Sequence, residues 1–362
     1  MRTAPRLIGL STAVPEHAVR QAEVRRFAAA LFSETIGGEA RLLDIFENAR
    51  IDKRHLCMPL EWYGTDHSFE QKNALYVEHA LSLSTAAIGN VLDRSGLTVR
   101  DVDHLVFVSS TGLATPSLDA RIINALGFRS DVRRTPVWGL GCAGGAVGLA
   151  RARDFARADP EAIVLMIALE LCSLTFQRND LTKRNLVAAS LFADGAAAAL
   201  VAGADARATP RAGRGELELL ATQSTLWPDT LDVMGWTVDG AGLHVVFSSD
   251  IPTIVRDKVR PGLDAFLATR QLRLADVDHL VLHPGGAKIL SAYSEALALA
   301  PDALELAHAT LRDYGNMSSP SCLFVLDRFL EQRRIAPGQI AVLAALGPGF
   351  SSEFVLMRGT AA

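Results

Sequence analysis

Apolar residues are distributed along this chain in two rhythms. Unbroken apolar runs occur as AIVLMIALE (162–170), AAAALVAG (196–203), IAVLAALG (340–347) and EFVLMRG (353–359). Runs of this kind predict strands buried on both faces. VEHALSLSTAAIGNVLDR and YSEALALAP instead return apolar side chains every three or four residues, which predicts helices with one buried stripe. Buried strands alternating with such helices make sheets covered on both faces, so the expected class is α/β.

The pattern also repeats. LTVRDVDHLV at 97–106 and LRLADVDHLV at 272–281 agree at seven of ten positions and lie 272 − 97 = 175 residues apart, about half of the 362-residue chain. One long period implies two related halves rather than a solenoid. Each copy reads as a helix end, a turn and a buried strand, HLVFVSS or HLVLH. The stretch GADARATPRAGRGE at 203–216 carries Gly, Pro and Arg without an apolar period. We place the boundary there, giving halves 1–205 and 216–362.

Charge and cysteine usage remove several function classes. The 36 Lys and Arg and 40 Asp and Glu are dispersed and leave a net charge of −4, so no basic stripe is available for a nucleic acid. Cys57, Cys142, Cys172 and Cys322 lie far apart with no C-x-x-C pair, unlike a disulfide framework or a zinc site. A reducing cytoplasm is the expected compartment. MRTAPRLIGLSTAVPEHAV lacks the apolar stretch and cleavage site of a signal peptide, and Glu170 interrupts AIVLMIALELCSL, so no stable membrane anchor is expected.

Candidate chemistry gathers at three glycine-containing turns. In TPVWGLGCAGGAVGLARARDFAR, a short strand, a glycine turn and a helix opening surround Cys142. A helix N-terminus favours a thiolate, so a lowered thiol pKa is expected. The same turn matches G-x-G-x-x-G at Gly139, Gly141 and Gly144, with Glu170 ending the next strand, which keeps a nucleotide-binding reading open. HLVLHPGGAKIL ends a strand at His283, whereas His104 and His279 hold equal places in the repeat and look structural. DYGNMSSPSCLFVLDRFL places Asn316 in a turn before a helix that Ser319 is expected to cap, with Pro320 near its first turn. A thiol, an imidazole and a carboxamide together suit acyl transfer and the polarisation of a thioester carbonyl.

GLGCAGG, LHPGG, YGNMSSP and LGPGFSSE, in that order and spread over nearly the whole chain, resemble the signatures of chalcone-synthase-like type III polyketide synthases. The resemblance implies a thiolase fold, two similar halves in five αβαβα layers, and a homodimer. It implies Cys142 as the acyl-carrying nucleophile, with His283 and Asn316 as decarboxylation and oxyanion residues, acyl-CoA and malonyl-CoA as substrates, and no cofactor or metal. Ketoacyl synthases III share Cys, His and Asn but usually continue the histidine with Gln-Ala-Asn; a single condensation of that kind remains the competing enzyme reading.

Finer assignments rest on the same resemblance. LVAASLFADGAAAALV is similar to the family's gatekeeper strand, which makes Phe192 the expected aromatic between thiol and CoA tunnel. A second gatekeeper, usually Phe, aligns with Val245, and Phe247 is not expected to replace it. Ser110, Thr175 and Ser318 are expected to contact substrate. TGLATPSLDA and ELCSLTFQRNDL are similar to bacterial alkylresorcinol and alkylpyrone synthases, in which the position of Trp236 borders the cyclisation cavity. This implies an aliphatic starter. For the CoA phosphates, Arg41 aligns with a family cation while Asp44 and Asn48 stand where cations are common; Lys288, Arg50, Lys53 and Arg54 are further candidates.

Overall fold

The computed structural model describes residues 4–33, 40–206 and 216–360. Nine strands form one sheet: β1 (Arg6–Ala13), β2 (His104–Val108), β3 (Arg133–Val137), β4 (Ile163–Leu171), β5 (Asp194–Ala202), β6 (Leu217–Leu226), β7 (His279–Leu282), β8 (Ile340–Gly347) and β9 (Ser351–Gly359). Their order is β7-β8-β9-β6-β1-β5-β4-β2-β3. On either side of the β1/β6 contact the order runs alike, β1-β5-β4-β2 against β6-β9-β8-β7, with β3 added at one edge. The seam itself is narrow: Arg6 pairs with Glu218 and Leu7 with Leu217. An Arg6–Glu216 ion pair reinforces it. The glycine- and arginine-containing stretch expected to join the halves lies mostly outside the described residues.

The apolar runs become strands β4 and β5, in which every residue is buried, and β8 and β9, which are buried along nearly their whole length. Both repeat copies form a short 3-10 turn, Val99–Asp101 or Leu274–Asp276, followed by β2 or β7. In each turn an aspartate carboxylate accepts from the backbone N–H three residues earlier. The equivalent histidines bond neighbouring segments, His104 to Thr135 of β3 and His279 to Gln339 just before β8.

Helices form three layers around the two half-sheets. α2 (Phe69–Ser95) begins at a capping box made by Ser68 and Gln71, ends at Gly96 with φ 73°, and covers β1, β5 and β4. α5 (Ile251–Ala268) and α6 (Ala287–Leu297) pack together outside the second half. Between the half-sheets lie α3 (Gly144–Ala158) and α7 (Ser321–Glu331), which touch each other and strands of both halves. The sequence of layers is therefore αβαβα. The first turns of both middle-layer helices are buried, and both α3 and α7 begin at the chemical motifs. Outside the sheet, α1 (Gln21–Leu31) precedes and α4 (Lys183–Leu191) leads into β5, while a hairpin pairs Met234–Asp239 with Gly242–Phe247. No helix among the described residues is long and apolar enough to cross a membrane.

Candidate active site

Cys142 lies in the 3-10 turn Gly141–Ala143, directly before α3. The glycines around it are needed for backbone shape and close packing. Gly139 and Gly141 have φ of 91° and 45°. A Cβ on Gly144 would lie 2.7 Å from Val108, and one on Gly145 would lie 2.1 Å from the Ser319 carbonyl, so α3 packs directly on the start of α7. The motif LGPGFSSE braces the turn from the other half: a Cβ on Gly347 would meet Ala143 at 2.5 Å, and Gly141 faces Pro348. These glycines hold protein against protein, not a phosphate, and Glu170 is wholly buried beneath them. The nucleotide-binding reading is thereby corrected.

Asn316 connects the three turns. Its N–H donates to the Leu191 carbonyl at 2.9 Å and its carbonyl accepts from Ala193, so the loop before α7 is bridged to Phe192. Its Oδ1 accepts from the Ser318 N–H at 2.8 Å, and its Nδ2 donates to the Gly285 carbonyl at 3.1 Å, two residues beyond His283. The Asn316 and Ser318 side chains lie close enough to the Cys142 thiol to favour its ionised form. His283, held by a 2.9 Å bond from its N–H to the Ala344 carbonyl, buries both ring nitrogens without a protein partner. A strand end of the second half, a helix start of the first and the loop before α7 thus share one buried region.

Burial controls the charge state there. It pushes the Cys142 thiol up to about 11; hydrogen bonds from Ser318 and Asn316 oppose this and the nearby Glu170 carboxyl reinforces it. The thiolate expected from the helix start is therefore not the resting form, because desolvation outweighs the helix N-terminus. Burial also pulls His283 down to about 3, leaving a neutral imidazole. Glu170 is raised to about 7 by burial, although it accepts from Ser110 N–H, Thr111 and Ser319. Ser319 was expected to cap α7. The helix starts one residue later, with Pro320 at the cap position, and the Ser319 hydroxyl donates to Glu170.

Ser110 does not line the adjoining pocket; its hydroxyl accepts from the N–H groups of Gly139 and Gly141 at 3.3 and 3.1 Å and so shapes the cysteine turn. Thr175, Phe192, Trp236 and Val245 do line that pocket, whose cavity volume is about 70 Å³. Phe247 does not. Trp236 and Val245 are directly opposite one another on the hairpin. Phe192 belongs not to a strand, as expected, but to the C-terminal cap of α4, just before β5. None of Cys142, His283 and Asn316 lines the pocket; Phe192 stands at the join, on the pocket wall and bridged to Asn316.

Other walls were not anticipated. Val24, Phe27 and Ala28 of α1, with Phe32 beyond its end, supply an apolar side. Their helical spacing was visible, but nothing in it distinguished a pocket wall from ordinary core. Arg41 and Lys288 are exposed, as are Arg50 and Lys53. Arg54 is only 2% exposed and lines the pocket, so it is withdrawn from the surface cations: its strand pairs with His17–Arg20 and turns the side chain inward. Among the described residues, no group of three or more His, Cys, Asp or Glu is placed to hold a metal.

Paired half-sheets around a shared helix layer, with a buried cysteine at the start of a central helix, define a condensing enzyme of the thiolase fold. The crystal structure of 1,3,6,8-tetrahydroxynaphthalene synthase from Streptomyces coelicolor A3(2), a bacterial type III polyketide synthase, superposes with a TM-score of 0.92 at 34% identity, covering 98% of this chain and 99% of that one. Residues 2–206 match the N-terminal domain and 218–361 the C-terminal domain of the chalcone and stilbene synthases. The chain belongs to that family and is a type III polyketide synthase, an enzyme of the acyltransferase kind. A putative chalcone synthase of Bacillus subtilis (strain 168) is 41% identical over 357 residues, 97% of each chain. A 1,3,6,8-tetrahydroxynaphthalene synthase of Streptomyces peucetius subsp. caesius is 42% identical over 347 residues, 96% of this chain and 91% of that one.

Proposed function

We propose that this enzyme extends an acyl-CoA starter by repeated decarboxylative condensation with malonyl-CoA. Cys142 sulfur attacks the starter thioester, its proton passes to His283, and CoA leaves. Thiolate and imidazolium arise together, so each charge is offset by the other in a site that admits neither alone. Malonyl-CoA then loses CO₂, and the electron pair left on carbon becomes an enolate whose oxygen accepts from Asn316 Nδ2 and His283. That carbon attacks the Cys142 thioester, forming a C–C bond as the C–S bond breaks, and the extended acyl group rests on CoA. The observation that carries this reading is Asn316, whose side chain donates to the Gly285 carbonyl in the loop that follows His283 and lies close enough to Cys142 to favour its thiolate.

The starter we assign is aliphatic, and the product an alkylpyrone, an alkylresorcinol or a related polyketide. The apolar wall from α1 supports this, since an alkyl tail gains about 25 cal/mol per Å² that it buries. Arg41 and Lys288 are the exposed cations proposed for the CoA phosphates. We further propose a homodimer, supported by an apolar surface formed by Leu113 and Trp138, which are 44% and 50% exposed and linked through a Trp138 bond to the Gly112 carbonyl.

The test is mass spectrometry of products from acyl-CoA starters of graded length with malonyl-CoA. Several extensions on mid-length or longer alkyl starters are expected. One extension only would instead indicate a ketoacyl synthase III-like reaction. Cys142→Ala should lower product formation by about 10³-fold or more, as for a lost covalent nucleophile; wild-type turnover in that variant would end the proposal.

A further inference from the structure

Arg54 brings a guanidinium into the wall of an otherwise largely apolar pocket. Its Nη1 donates to the Phe192 carbonyl at 2.7 Å. Its stem fills the space beside Gly315, where a Cβ would lie 2.8 Å from it, next to Asn316. Its Nε and Nη2 are buried and bond no protein atom. Asp194 is near enough to favour the charge, but its carboxylate oxygens accept from Ser173 and Cys57 instead. Arg6, which also has bare buried nitrogens, is ion-paired at the sheet seam and lines no part of this pocket.

Two buried, unpartnered guanidinium nitrogens on a side chain that lines a pocket call for an oxygen acceptor from whatever occupies it. An alkyl starter offers none beyond its thioester. Each malonyl extension, however, leaves a ketone at the third carbon, and the next one pushes that ketone farther from the sulfur, past Phe192. A chain with two or more such ketones has acidic methylenes between them, and its enolate is an anion well matched to a guanidinium fork. We propose that Arg54 is a specificity-determining residue that binds the ketone or enolate oxygens of the elongated β-ketoacyl chain and so promotes extensions after the first. The inference rests on the condensing function proposed above.

The experiment uses full-length enzyme with an alkyl-CoA starter and malonyl-CoA, comparing wild type with Arg54→Met and Arg54→Lys. Products are quantified by chain length, and melting transitions are recorded for each protein. Arg54→Met should raise the ratio of singly to multiply extended product by about tenfold, the effect of one lost charge-assisted hydrogen bond. Arg54→Lys, which keeps a cationic donor, should restore part of the wild-type ratio and carries the test if the Met variant does not fold. Unchanged ratios in both variants, or a uniform fall of all products, would overturn the proposal. A wild-type enzyme that incorporates no malonyl unit would sink the condensing function as well, an outcome distinct from an unaltered product ratio.

Discussion

At the scale of single residues, desolvation dominates the site. Folding takes His283 from an ordinary imidazole at 6.5 to about 3, so the native state binds fewer protons than the unfolded chain between those pH values. Stability contributed by the neutral ring is complete above about pH 6.5 and is lost as pH falls toward 3. His283→Gln removes this liability. At pH 5 the variant should be favoured over wild type by about 2 kcal/mol relative to their difference at pH 8, read from urea unfolding at the two pH values. An identical difference at both pH values would contradict the assignment. The three residues proposed to react are legible from their motifs, because glycine-flanked Cys, His and Asn are unusual company. Their charge states were not, since the helix start visible beside Cys142 says nothing of how completely folding excludes water.

Elements impose a different kind of constraint, the distance at which backbones meet. Gly145 lets α3 approach the Ser319 carbonyl; Gly145→Ala would place a methyl 2.1 Å from it and 2.8 Å from the Cys322 sulfur. A cost of about 2–3 kcal/mol is expected, together with a loss of turnover, because the shift needed to relieve the clash moves Cys142 relative to Asn316. At the other end of α3, Arg153 donates to the carbonyls of Leu219 and Leu220, where a bulge interrupts the β9/β6 ladder. Arg153→Met removes both bonds, one buried and one partly buried, and should cost about 1–3 kcal/mol, measured by chemical denaturation. The strands and helices themselves could be read from apolar rhythm. The bulge could not, because its irregularity is a property of two strands and not of either sequence alone.

For the whole molecule, one apolar cluster includes Leu7, Val106 and Leu149 from the first half and Phe266, Val342 and Phe354 from the second. The halves share α3 and α7, and this shared core couples them even though the first half also has a cluster of its own around Ile88, Leu105, Leu165 and Leu200. A single calorimetric transition is expected, with equal van't Hoff and calorimetric enthalpies per folding unit; two separated transitions would show halves that unfold independently. The amino-acid order by itself determined the α/β class, the internal duplication and the three residues proposed to react, because periodicity, repetition and glycine-bound motifs are local properties. Only the tertiary structure decided that Asn316 links the thiol to the histidine loop, that Ser110 supports a turn, and that Arg54 faces a pocket instead of solvent. Those outcomes depend on which distant segments exclude water from one another, and no single stretch of chain contains that information.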